Sequence, residues 1–123
     1  MIKKSIILVS ISLFIAIGYA QNISDLEVTF AGTRDGQIEF DSLLNNQKLI
    51  INDTTFSIRS FYMSISSEGI SKEYYTVSGR LNSEMKKAIK NTKTNDKVYF
   101  DRIKVSHPTG SLYSVNAIRI IIK

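Results

Sequence analysis

The chain has 123 residues, a formal net charge of +5 and no cysteine. That length holds one domain with a single core, and the missing cysteines exclude disulfides, thiol catalysis and cysteine metal sites. The charge falls to +3 if Lys3 and Lys4 are removed with an N-terminal leader, a surplus that favours solubility and names no partner; no DNA- or RNA-binding motif is present, so no nucleic-acid partner is expected.

The first residues, MIKKSIILVSISLFIAIGYAQN, place two lysines before an apolar run from Ile6 to Ile17, with small residues Gly18 and Ala20 before Gln21. This is the pattern of an export signal cleaved after Ala20. The run is shorter than the ~20 residues of a membrane-spanning helix, so no transmembrane segment is expected after cleavage. The expected mature chain is a single domain, residues 21–123, in the periplasm, at the outer membrane or secreted.

Ser24–Phe30 alternates Leu26, Val28 and Phe30 with polar residues and reads as a half-buried strand. Ala31–Gly36 is a loop, Ile38–Asn46 a short helical turn (about 39–46), and Lys48–Ile51 a short strand. Asp53–Ser66 is the longest alternating stretch without Gly or Pro, but its phase slips once. Phe56 and Ile58 share one parity and Phe61, Met63 and Ile65 the other, as at a β-bulge near Arg59 and Ser60.

Ser67–Ser71 is a turn, and Lys72–Gly79 a strand returning as a hairpin. Residues about 82–94 change to helical period: Asn82 is the expected N-cap, Glu84 lies in the first turn, and Met85, Ala88, Ile89 and Thr92 form the apolar stripe. Lys97–Ser106 is a strand with a second slip, from Val98 and Phe100 to Ile103 and Val105. His107–Gly110 is a turn containing the chain's one proline, and Val115–Lys123 a terminal strand.

The order of these features resembles the C-terminal domain of GldM, the periplasmic arm of the gliding-motility and type IX secretion motor. The residues that carry the likeness are AGTRDGQIEFDSLL, Ser60 and Phe61 within FSIRSFYMSI, Glu84–Lys86 opening the helix, and VYFDRIKV followed by Pro108 and Gly110. The resemblance covers about residues 31–123. It implies an immunoglobulin-like β-sandwich with one amphipathic helix, acting as a non-enzymatic protein-binding module of the cell envelope with an outer-membrane-associated partner. With no membrane helix after the signal and one domain, the chain is expected to be a stand-alone exported relative of that domain and not a motor arm. Thr109 stands where the family often has an acidic residue.

His107, the single histidine, sits in the predicted turn. A surface turn residue is the simpler reading beside an acid-base role, and no catalytic set, cofactor or metal site is assigned. Lys86, Lys90, Lys93 and Lys97 are spaced to line one helix face, as a stripe for an acidic protein or lipid headgroup or simply as the solvated side of an amphipathic helix. Arg59, Tyr62, Tyr74, Tyr75 and Arg80 form a second candidate protein-binding set, since Tyr and Arg anchor many interfaces; the alternative is packing on a second sheet face. Tyr74 and Tyr75 would instead serve a small carbohydrate- or peptide-binding module as a stacking platform. The terminal strand Val115–Lys123 is a third candidate, pairing by its edge with a partner or in a homodimer.

Overall fold

The computed structural model describes residues 26–123; the export signal, Ser24 and Asp25 lie outside the described residues. The elements are β1 (Val28–Thr29), β2 (Asp35–Ile38), α1 (Phe40–Leu44), β3 (Ile50–Ile51), β4 (Ser57–Ser67), β5 (Ile70–Thr76), α2 (Ser83–Lys90), β6 (Lys97–Ser106), β7 (Leu112–Val115) and β8 (Ile118–Ile122). The chain is mainly β, as expected, and forms a sandwich of unequal layers. The larger layer is a six-stranded sheet in the order β2, β8, β6, β4, β5, with β7 also paired to β6. Facing it are the two-stranded ribbon of β1 and β3 and the two helices, whose buried Leu43, Met85 and Ile89 join the core.

The sheet is antiparallel except for β2, which runs parallel to β8. Its inner face is set by alternation: Phe61, Met63 and Ile65 of β4, Val98 and Phe100 of β6, and Ile118, Ile120 and Ile122 of β8 are all buried. Phe100 is central, with its ring 4.8 Å from Phe30 and 5.7 Å from Phe61, the latter edge-on.

Both expected phase slips are present, and they meet. In β4 the register with β6 shifts between Ile58 and Ser60 and again between Ser60 and Tyr62. In β6 the slip falls at Asp101 and Arg102, where Arg102 takes a positive φ of 46°. The extra residue restores the inward parity, so Ile103 and Val105 are as buried as Val98 and Phe100. On the other side of β6 the same bulge divides its partners: Lys97–Phe100 pair with β8 and Ile103–Ser106 with β7.

That division corrects the expected terminal strand. Val115 belongs to β7, Asn116 and Ala117 form a break opposite the bulge, and the last strand begins at Ile118. The strand is no edge either, because β2 and β6 flank it. Arg119 pairs with Asp35 at 3.3 Å and Lys123 with Glu39 at 3.4 Å instead of guarding an open edge.

The long helix is shorter than its period suggested. Asn82 caps it as expected, its Oδ1 accepting from the Met85 N–H at 2.9 Å. It stops at Lys90 because the next residues satisfy its end in another way: the Thr92 hydroxyl donates to the Ile89 carbonyl at 2.6 Å, and the buried Asp96 accepts from the Lys93 N–H at 2.9 Å. The Asn95 N–H then donates to the Ile122 carbonyl at 2.8 Å, tying this turn to β8. Thr92 thus ends the helix and does not extend its stripe.

Replacing Phe100 with Ala is expected to remove about 3–5 kcal/mol of stability, since both aromatic contacts and a fully buried ring are lost. Urea unfolding checks it; a loss below about 1 kcal/mol, the size of a lost surface contact, would mean the core is centred elsewhere.

Candidate functional site

The outward face of the sheet carries none of the covering elements, whose buried residues belong to the inner face. The strand registers arrange its side chains in rows. One row runs Asp35, Arg119, Tyr99, Ser64, Glu73, and a second Asp101, Tyr62, Tyr75. In the second row the Tyr62 and Tyr75 rings lie 4.6 Å apart at 38°, and the Arg102 guanidinium sits 3.6 Å above the Tyr62 ring. Tyr62 is sandwiched between a cation and a second ring, an arrangement attractive through the ring quadrupole.

The bulge is what makes this stack. An ordinary alternation would send Arg102 inward after Asp101; the left-handed backbone turns both side chains outward. There Arg102 pairs with Glu73 across β4, and its Nε lies 3.4 Å from Asp101. Desolvation lowers the Arg102 pKa, but the Glu73 hydrogen bond and both carboxylate charges outweigh it and hold the pKa above its ordinary value. Tyr75 remains 48% exposed at the edge of the stack.

The other expected site residues are dispersed. Tyr74 points to the inner side, as the alternation with Tyr75 required, and packs half-buried against the core. Arg59 is exposed in the irregular part of β4, and Arg80 is exposed where its backbone bridges to Lys48. The lysine stripe is not brought together. Lys86 and Lys90 border a recess with Leu43 and Leu44 of α1. Lys93, beyond the helix end, pairs with Glu68 at 2.8 Å, and that hydrogen bond raises its pKa. Lys97 lies in β6 on the outward face beside Ile121. The stripe depended on a helix running to residue 94.

Arg102 and Glu73 were not among the expected site residues. The signal for Arg102 is the second phase slip, which marks one residue of DRI as displaced to the other face; Glu73 becomes visible only once the hairpin register is known.

His107 is half-buried, its Nδ1 3.0 Å from the Thr109 hydroxyl and its ring edge-on to Phe56 at 5.2 Å. Nearby, Asp53 opens the turn into β4. Its Oδ1 accepts from the Thr55 N–H at 2.9 Å; this bond and the Thr55 hydroxyl, with a lesser contribution from the charge of His107, outweigh desolvation and lower its pKa. Among the described residues no three His, Asp or Glu side chains gather to hold a metal, and no helix is long and apolar enough to cross a membrane. No known family model matches the chain, and no curated protein matches it either.

A carboxyl with a lowered folded pKa stabilises the fold above the ordinary carboxylate range and loses that contribution as pH falls through the lowered value. The melting-temperature advantage of the native chain over Asp53→Asn is therefore expected to be full above the ordinary carboxylate range and to shrink as the pH falls below it. Thermal unfolding across that range checks it; a gap that does not change with pH would show that the ionised form of Asp53 contributes nothing.

Proposed function

We propose that this protein is a non-enzymatic, exported protein-binding module of the cell envelope, an accessory to gliding or type IX secretion machinery. The observation that carries the reading is the Arg102, Tyr62, Tyr75 stack on an uncovered sheet face. Tyr and Arg are the residues most enriched at the energetic centres of protein interfaces. Here their geometry is fixed before any partner arrives, so little side-chain entropy is lost on binding. The reading is supported as well by the ordered likeness to the C-terminal domain of GldM, which supplies the envelope setting and the outer-membrane-associated partner. The stack replaces the scattered lysines as the contact surface, because it alone is assembled.

One feature favours a second reading. Tyr75 offers an exposed ring at the end of the stack, and a sugar face could rest on it.

The test is crosslinking in the native cells followed by capture on residues 21–123, with Tyr75→Ala and Arg102→Ala as paired baits. An envelope protein held by the native chain is expected to be lost about 30-fold or more from either variant, the effect of removing a 2 kcal/mol anchor. Recovery by both variants equal to that by the native chain would remove the stack from the interface. Retention on a polysaccharide matrix that depends on Tyr75, with no protein captured, would transfer the function to the sugar reading.

A further inference from the structure

The stripe of four lysines is broken up, but two of its members stay together. Lys86 and Lys90, one turn apart on α2, border a recess that opens between α2 and α1. It lies in the helical layer, on the side of the sheet away from the Arg102 stack. Its floor is apolar: Leu43, Leu81 and Ile89 are buried, and Leu44 is left 37% exposed beside them. Asn46 and Gln47 complete the rim.

No carboxylate of the described residues borders this recess. Glu84, the one acid of α2, borders a different recess beside β5. Glu39 is paired with Lys123, and Asp41 of α1 lies outside the lining. Lys86 and Lys90 are exposed, and among the described residues their side chains enter no salt bridge or hydrogen bond. Two like charges one turn apart repel each other, so an anion held between them, over the apolar floor, relieves that repulsion.

Size and shape narrow the occupant. The recess has a volume of about 240 Å3, above the ~150 Å3 that holds a benzene-sized group and below the ~300–1,000 Å3 of a site for a drug-sized ligand. It therefore takes one large apolar side chain. The Leu81 N–H donates to the Gln47 carbonyl at 2.9 Å and joins the two walls at one end, which suits a chain end better than a strand running through. Asn46 Nδ2 donates to the Ser42 carbonyl at 2.6 Å, leaving its Oδ1 to accept a peptide N–H. The side chain and the carboxylate must enter together. In an extended interior segment a carboxylate on the next residue points to the opposite face; only at a C-terminus does one residue carry both groups.

We propose that the recess between α1 and α2 binds the C-terminus of a protein partner whose last residue is large and aliphatic. The side chain rests on Leu43, Leu44 and Ile89, the α-carboxylate meets Lys86 and Lys90, and the last peptide N–H donates to Asn46 Oδ1. This deepens the protein-binding reading and rests on it, but it uses none of the residues of the Arg102 stack.

The probes are the N-acetylated peptide SGTSGL with a free carboxyl end, the same peptide ending in an amide, and SGTSGS with a free carboxyl end. Each is titrated into residues 21–123 and followed by the backbone amide shifts. The free acid ending in Leu is expected to bind at least tenfold tighter than either of the others and to move the amides of Gln47, Lys86 and Lys90. Lys86→Gln together with Lys90→Gln is expected to bring the free acid down to the affinity of the amide, while the arginine pair at the same positions keeps the preference. Both side chains are exposed, so these variants keep the fold, and unchanged shifts outside the helical layer check it. Decanoate carries the same groups on a lipid-like chain; it outruns the recess and lacks the peptide N–H, and is expected to bind at least tenfold more weakly than the peptide. Equal binding of acid and amide, equal binding of the Leu and Ser ends, a preference that survives the glutamine pair, shifts confined to the outward face, or no binding up to 5 mM would each overturn the proposal. Tighter binding of decanoate would overturn it as well and give the recess to an anionic lipid. The peptides report on the recess with no partner protein present, whereas the Tyr75→Ala and Arg102→Ala baits report on the stack, so a failure of the one is told apart from a failure of the other.

Discussion

The bulge at Arg102 is the constraint on which the sheet depends. A left-handed backbone at a residue other than glycine costs about 1–2 kcal/mol, and it persists here because several groups hold it. The guanidinium rests on Tyr62 and is paired with Glu73 and Asp101, while the flanking Phe100 and Ile103 are fully buried on the other face. Without the extra residue, the inward parity of Val98 and Phe100 would place Arg102 in the core and Ile103 in water. A one-residue slip in a strand exchanges its faces entirely, so the bulge lets one continuous strand serve two halves of a core.

Its effects extend across the neighbouring strands. β4 shows its own irregularity beside it, between Ile58 and Tyr62, and on the other side the chain breaks at Asn116 and Ala117 to give β7 and β8 in place of one strand. The three irregularities form a crease across the sheet, where local twist increases and the strands bend. On one side of it Phe56, Tyr113 and His107 form a small aromatic cluster; on the other, Phe30, Phe61 and Phe100 form the main core.

Both slips were readable in the sequence because each leaves a visible change of parity in a strand long enough to show it: Phe56 and Ile58 against Phe61 and Met63, Val98 and Phe100 against Ile103 and Val105. The N-cap at Asn82 and the hairpin around Glu68 and Gly69 were readable too, since both depend on local chemistry. The break at Asn116 was hidden, because its cause is a bulge in another strand and SVNAIRIII alternates well enough by itself. The end of α2 was hidden for a similar reason: Thr92 fits the helical period, and only the hydrogen bonds of Asp96 and Asn95 to their surroundings stop the helix earlier. The same limit applies to the site. Parity placed Tyr74 and Tyr75 on opposite faces, but the partners of Tyr75 come from β4 and β6, and no local pattern announces which arginine will reach them.

β5 presents two unlike faces. As an edge strand it is paired on one side only, and its alternation sends Tyr75 and Glu73 to the outward stack while Lys72 and Tyr74 face α2. Asn82 joins the two, since one end of its amide caps α2 and the other holds the Tyr75 carbonyl. The helix is thereby fixed at a set distance from the strand, leaving a cleft where closer packing would have buried Tyr74. Lys72 also opposes the pairing of this edge with a second copy in register, because like charges would meet.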